Sequence, residues 1–189
     1  MADGYVSFEK NTIELSLKES DKDHLRKINE YFLSNSPIKE KRKYDKRYDK
    51  TYISYRVCYN SKKIKDNLSK LGCTTQKSLT LKFPELEENI VPHFIRGYFD
   101  GDGCITKTSS GKIAIEILGT EEMLLGILSS SNINVKIHSF NHSSVKRIQM
   151  FGKNANHFLE YIYNNSSLFL DRKRNKVEQI APYDWKLRK

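Results

Sequence analysis

Hydrophobic residues recur along this chain with two periods. Residues Thr12 to Lys18 (TIELSLK) alternate, with Ile13, Leu15 and Leu17 on one face and Thr12, Glu14, Ser16 and Lys18 on the other, the pattern of a half-buried strand. Ser20 and Asp23 then provide a cap-like start. Leu25, Ile28, Tyr31 and Phe32 follow at helical spacing, which predicts an amphipathic helix over 21–34 ended by Pro37. After a highly charged stretch, alternation returns at 51–59 (TYISYRVCY), where Ile53, Tyr55, Val57 and Tyr59 face inward. Ile64, Leu68 and Leu71 stripe a second helix that stops at Gly72.

The same order returns downstream. Residues 112–118 (KIAIEIL) predict a strand with Ile113, Ile115 and Ile117 on one face, and a helix over 121–131 carries Met123, Leu124, Ile127 and Leu128. Strands near 133–140 and 145–151 precede a helix over 153–164 with Phe158, Ile162 and Tyr163. Strand–strand–helix–strand–strand–helix thus occurs twice, at an offset of about 100 residues. Asp3-Gly4-Tyr5-Val6-Ser7 matches Asp102-Gly103-Cys104-Ile105-Thr106, Ile13, Leu15 and Leu17 match Ile113, Ile115 and Ile117, and Leu25 and Ile28 match Leu124 and Ile127. The reading is two halves, 1–84 and 85–189, related by an internal pseudo-two-fold.

Charge sharpens this picture. Thirty-three Lys and Arg against 23 Asp and Glu leave a formal net charge of +10, which favours a polyanionic partner because each neutralised phosphate releases condensed counterions. Charge alone does not separate such a protein from a basic one with no nucleic-acid partner. Cys58, Cys73 and Cys104 lie far apart without metal-ligand spacing and read as small buried side chains in a reducing compartment. Neither a secretory leader nor an apolar run near the roughly 20 residues of a membrane span is evident. The expectation is an intracellular soluble protein, of the cytoplasm or an organellar matrix.

The segment Ile90–Gly103 (IVPHFIRGYFDGDG) concentrates the chemistry. Pro92 suits the first turn of a short helix continuing from His93 to Phe99. Gly97 inside that helix costs about 1 kcal/mol relative to Ala, and close helix–helix approach is the usual reason. Gly101 and Gly103 let the backbone turn out of the helix and present Asp102 at its end. A carboxylate there faces the negative end of the helix dipole, a conflict that a bound divalent cation would remove.

Ile95-Arg96-Gly97-Tyr98-Phe99-Asp100-Gly101-Asp102-Gly103 resembles the LAGLIDADG motif of intron- and intein-associated homing endonucleases, and Met1-Ala2-Asp3-Gly4-Tyr5 resembles the end of a first copy. The strand order and the Lys77–Pro84 stretch (KSLTLKFP) extend the resemblance over nearly the whole chain. A bare Asp-Gly-Asp-Gly could be a turn or part of a calcium loop, but neither predicts a duplicated half.

The resemblance implies an α+β fold of two αββαββα halves. Their motif helices would pack together through Gly97, Phe94 and Tyr98, and two four-stranded antiparallel sheets would form a saddle in the DNA major groove. It implies Mg²⁺ held by Asp3 and Asp102 with Ala2 and Gly101 beside them, hydrolysing phosphodiester bonds of double-stranded DNA. Two metal ions would activate the attacking water and stabilise the leaving oxygen. A basic residue after the last helix of each half would lie near the phosphate. Lys77 and Lys173 are the matches, 74 and 71 residues after their aspartates. Base recognition would come from the polar strand faces: Ser16, Lys18, Ser54 and Arg56 in the first half, Lys112, Glu116, Lys136, His138, Arg147 and Gln149 in the second. The charged hairpin 39–56, with Lys41, Lys43 and Arg47, suits phosphate contacts.

The chain departs from the family at its start, where the first motif helix is almost wholly missing. The expectation is an Asp3 held on a frayed end, DNA binding retained, and cleavage weakened, reduced to nicking or lost. A monomer is expected, with self-association through the motif-helix face as the other arrangement. A non-cleaving relative, maturase or regulator, using the same saddle on DNA or RNA is the competing reading, and a structural basic protein the third.

Overall fold

The computed structural model describes residues 4–73, 81–140 and 144–180, and these form two compact units divided between Cys73 and Leu81. Asp3, Ala2 and Lys77 lie outside the described residues. Leu81 and Phe83, at the end of the half read from the sequence as the first, belong to the second unit. Leu81 is buried in that unit's core and its carbonyl accepts from the Thr120 hydroxyl, while a Cβ on Gly126 would lie 2.1 Å from the Phe83 ring.

The first unit runs β1 (Gly4–Ser7), β2 (Thr12–Lys18), α1 (Lys22–Tyr31), β3 (Lys39–Asp45), β4 (Lys50–Asn60) and α2 (Lys62–Lys70). Its strands form an antiparallel sheet in the order β1-β2-β4-β3. Ile13, Leu25, Val57 and Tyr59 are its buried core, with Leu15, Leu17, Ile28, Tyr55, Ile64 and Leu68 packed against them half-buried. The alternation read in 12–18 and 51–59 is therefore the helix-facing side of the sheet. Ser20 is not the cap expected of it: Glu19–Asp21 form a 3-10 turn, the Ser20 hydroxyl donates to Asp21, and α1 starts at Lys22. That helix also ends well before Pro37, where Leu33 takes a left-handed φ of 50°. Ser61 caps α2 by accepting from the Ile64 N–H at 3.2 Å, and Gly72 leaves the helix at φ 82°.

The second unit runs α3 (Val91–Asp102), β5 (Gly103–Lys107), β6 (Ile113–Gly119), α4 (Glu121–Ser130), β7 (Ile137–Ser139), β8 (Lys146–Phe151), α5 (Lys153–Tyr163) and α6 (Asp171–Ile180). Its sheet, β5-β6-β8-β7, has the same antiparallel order as the first. The α+β class, two four-stranded antiparallel sheets and the repeated element order are borne out. The second core is the deeper one: Ile95, Phe99, Ile115, Ile117, Ile148 and Phe158 are all fully enclosed, with Phe99 and Phe158 edge to face at 5.5 Å. Strand β7 is shorter than the 133–140 expected, and α6 is a helix that the hydrophobic pattern did not announce, since only Val177 and Lys173 of its residues are buried.

Register corrects one part of the repeat. Gly4 pairs with Leu15 and Gly103 pairs with Ile117, so the second hairpin is longer, and Ile13 and Leu15 correspond to Ile115 and Ile117. Glu14 thereby becomes the counterpart of Glu116. The cysteine reading holds only for Cys73. Cys58 is half-buried and Cys104 exposed, because alternation places both on the sheet face that the helices leave uncovered.

Candidate nucleic-acid interface and its acidic residue

Helix α3 does not stop at Phe99 but runs through Asp102, its last and exposed residue. Gly103 follows in an ordinary extended conformation, φ −83°, so the turn-making role expected of it is not the reason for glycine. A Cβ there would lie 2.1 Å from the Phe99 ring and 2.6 Å from the Phe99 carbonyl oxygen. Room, not backbone freedom, demands glycine. Gly103→Ala is expected to destabilise the protein by about 1–3 kcal/mol, read as a lowered denaturation midpoint, because the blocking carbonyl is backbone and cannot swing aside. An unchanged midpoint would contradict this packing.

Two other polar residues of the same segment are buried and turn the opposite way. Arg96 donates through Nε to the Leu168 carbonyl at 2.8 Å, and through Nη1 to the Ile162 carbonyl at 2.9 Å and towards His93 Nδ1 at 2.8 Å. Asp100 accepts from the Leu170 N–H at 3.0 Å and the Tyr163 hydroxyl at 3.4 Å. Together they pin both ends of the link between α5 and α6. Burial pushes the Asp100 carboxyl up, opposed by the Leu170 N–H and the nearby Lys173 and Arg96 charges. Burial, helped by the Asp102 charge, pushes the Tyr98 hydroxyl up to about 12.

The pinned link delivers Lys173. Expected after the last helix, this lysine lies inside α6 and is 4% exposed. Its ammonium donates to the Phe99 and Gly103 carbonyls and stands 4.7 Å from the centre of the Phe99 ring. A cation thus sits at the carbonyl end of α3, where two aspartates crowd the negative end of the dipole and the last turn has no base of its own. The structure brings Lys173 to the Asp102 end of the helix but commits its amine to the backbone.

Two of the three residues expected at a motif-helix interface make contacts within the second unit. The Tyr98 hydroxyl donates to the Leu118 carbonyl of its own unit at 2.8 Å, and Phe94 packs edge to face on Phe83 at 5.4 Å. Gly97 is exposed, and nothing within 4 Å would meet a Cβ there.

Strand register collects most of the expected DNA-contacting residues on one side of each sheet. Directly opposed residues share a face, so β2, β4 and β3 form rows Ser16–Arg56–Lys39 and Lys18–Ser54–Lys41, followed by Tyr52–Lys43. This face is away from the core. Lys39 opposes Arg56 directly, a like-charged pairing beside the Glu14 carboxylate, which lies 3.1 Å from Arg56 Nη1. Lysines on the long, exposed edge strand β3 also discourage edge-to-edge pairing, a role that needs no ligand. Arg47 lies in the β3–β4 turn with its guanidinium on both oxygens of Asp45, 3.1 and 2.8 Å away. Its bonds hold the Asp45 carboxyl below its usual range.

On the second sheet the matching face carries Cys104–Glu116–Gln149 and Leu118–Arg147–His138. Lys112 and Lys136 are exposed but flank the strands and are not part of them. This face is less cationic and includes exposed Leu118 and Phe151. Composition could not show that the first unit's strands carry more of the positive charge than the second's.

Sequence reasoning missed one relation. Arg56 Nη1 donates to Glu14 at 3.1 Å, and Arg147 Nη1 donates to Glu116 at 3.3 Å. Glu14 lies opposite Cys58 and Glu116 opposite Gln149, so each arginine stands two residues before its glutamate's cross-strand partner. The pairs occupy the same place in both sheets. The signal was the duplicated glutamate, hidden by the hairpin's extra length.

Comparison with known proteins agrees with this geometry. Residues 90–163 match the model of the LAGLIDADG-like domain. No curated protein matches the chain in sequence. Among solved structures, the homing endonuclease I-WcaI bound to its DNA recognition sequence is similar with a TM-score of 0.67 at 15% identity, covering 93% of this chain and 80% of that one. The N-terminal LAGLIDADG domain of DUF199/WhiA is similar at 0.53 and 19% identity, covering 95% and 81%. The I-SmaMI LAGLIDADG homing endonuclease bound to cleaved DNA follows at 0.50 and 10%, covering 94% and 82%. The protein has the LAGLIDADG homing-endonuclease fold, and residues 90–163 of its second unit match a LAGLIDADG-like domain. The resemblance read from Ile95–Gly103 is borne out at both levels. Among the described residues no helix is long and apolar enough to cross a membrane.

Proposed function

We propose that the protein is a site-specific endonuclease of double-stranded DNA that hydrolyses phosphodiester bonds with Mg²⁺. The observation that carries this reading is Asp102, an exposed carboxylate at the C-terminal end of α3, where Arg96 and Asp100 of the same helix are buried. A structural acid would turn inward like Asp100. Asp102 faces outward at the entrance to a sheet whose uncovered side bears hydrogen-bonding side chains.

The donor chemistry fits the metal. Asp102 and the backbone at Gly101 offer oxygen only, the ligand type Mg²⁺ prefers, and the resemblance pairs them with Asp3 and Ala2. Among the described residues no group of three or more His, Cys, Asp or Glu that could hold a metal ion is assembled. Bound Mg²⁺ would stabilise charge on the phosphate and lower the pKa of water. Asp102 holds its place because Lys173 secures the last turn of α3, which makes Lys173 a positioning residue. Lys18, Lys41 and Lys43 neutralise phosphates and set register, and the more central polar side chains address base edges.

The likeness to I-WcaI and I-SmaMI bound to DNA supports this reading. The likeness to the DUF199/WhiA domain, not called an endonuclease, favours a second one: a binder without cleavage. Incubating the protein with fragmented genomic DNA in Mg²⁺ and sequencing new ends distinguishes them. Discrete, recurrent ends are expected. Salt-sensitive duplex binding without new ends would overturn the nuclease and leave the binder.

A further inference from the structure

Basic residues on a DNA-facing sheet need no explanation, but two acidic residues there do. Glu14 and Glu116 lie on the face that would meet phosphate and base edges, where a carboxylate repels the backbone. Stability does not explain them. The side chains of Arg56 and Glu14 are 39% and 23% exposed, those of Arg147 and Glu116 34% and 33%, and pairs so open to solvent contribute little to folding. Yet the same diagonal pairing is built twice.

The glutamate does one definite thing in each unit: it takes Nη1 of the arginine and fixes the direction of the guanidinium. The second unit braces its arginine further. The Gln149 amide donates to Glu116 at 2.9 Å, and the Arg147 guanidinium stands 5.0 Å from the centre of the Phe140 ring. Arg147 Nε is buried with no hydrogen-bond partner, so the side chain is held at a polar cost. An arginine meant for phosphate needs no such constraint, because phosphate accepts from many directions. A guanidinium with a fixed plane matches one base edge, the N7 and O6 acceptors of guanine in the major groove.

We infer that Arg56 and Arg147 each read one guanine, and that Glu14 and Glu116 are the positioning residues that make them selective. This rests on the reading of the protein as a duplex-DNA binder, though not on cleavage. The target then holds two such guanines, one assigned to each unit, and the strand lysines add affinity without sequence preference.

The experiment is selection of bound duplexes from a randomised library without metal, followed by sequencing, for the full chain and five variants. Arg56→Gln is expected to relax guanine preference at one position by roughly ten- to a hundredfold, and Arg147→Gln at a different one. Glu14→Gln and Glu116→Gln should relax the same two positions as their arginines while preserving or raising overall affinity, since a negative charge is removed. Lys43→Gln should lower affinity evenly across all sequences. Circular dichroism of every variant confirms folding. If the arginine variants lose affinity with unchanged sequence preference, they are phosphate contacts and the inference is wrong. If the glutamate variants leave preference intact, the positioning role is wrong. No enrichment by the unaltered protein would instead remove the DNA-binding reading itself.

Discussion

Asp102→Asn is expected to abolish cleavage and to leave DNA binding in place. The carboxylate is the second unit's metal-binding oxygen in this reading, and losing it removes several kcal/mol of transition-state stabilisation, about a thousandfold or more in rate. Asparagine keeps the shape and is exposed, so the fold is not at risk. Stability should change little, because the negative charge leaves the negative end of the α3 dipole but also leaves the end of the helix at which the Lys173 ammonium sits. Single-turnover cleavage of the selected duplex, fluorescence anisotropy on the same DNA and a denaturation curve measure the three effects. A variant that still cuts at the original rate would show that the acid is not the metal ligand. A variant that loses binding and cleavage together would show that Asp102 holds structure instead.

Arg96→Leu is expected to lower folding stability by about 2–4 kcal/mol, the largest structural effect among these substitutions. Removing the guanidinium leaves the Ile162 and Leu168 carbonyls without their charged donor in the interior, and each unsatisfied buried group costs about 1–3 kcal/mol. The damage should spread to α6, because that helix is tied to α3 through Asp100–Leu170 and through Lys173. Hydrogen exchange should therefore accelerate across 164–180 before it does in the sheet. Arg96→Lys, with one ammonium in place of the fork, should recover only part of the loss. A loss below about 1 kcal/mol, with unchanged exchange at the link, would mean that the link is held by its apolar contacts.

The elements were legible where one face of a strand or helix is buried and the other wet. Ile13, Leu15 and Leu17, like Val57 and Tyr59, announced their strands because each packs on helices from one side only. Helix α6 was not legible: its residues carry few apolar side chains, and it is held through Val177, Lys173 and the bond between Leu170 and Asp100. The site was legible in part. Asp102 was named from the glycine-flanked end of the motif segment and Lys173 from what the resemblance implies, but Arg96 and Asp100 read as parts of a motif when they are its internal anchors. Glycine misled most, since Gly103 looked like a turn residue and is a clearance for Phe99.

What the sequence determined by itself is periodic or local: the α+β class, the duplicated element order, the sign of the charge, and the segment that carries the acid. Burial on one face of each element imposes a period that survives in one dimension. What only the tertiary structure decided is which side chains meet across strands and helices. A hairpin of different length shifted the register of the repeat, and with it revealed that Glu14 matches Glu116 and Arg56 matches Arg147. Partners so far apart along the chain leave no local pattern, because their relation is set by pairing geometry and not by spacing.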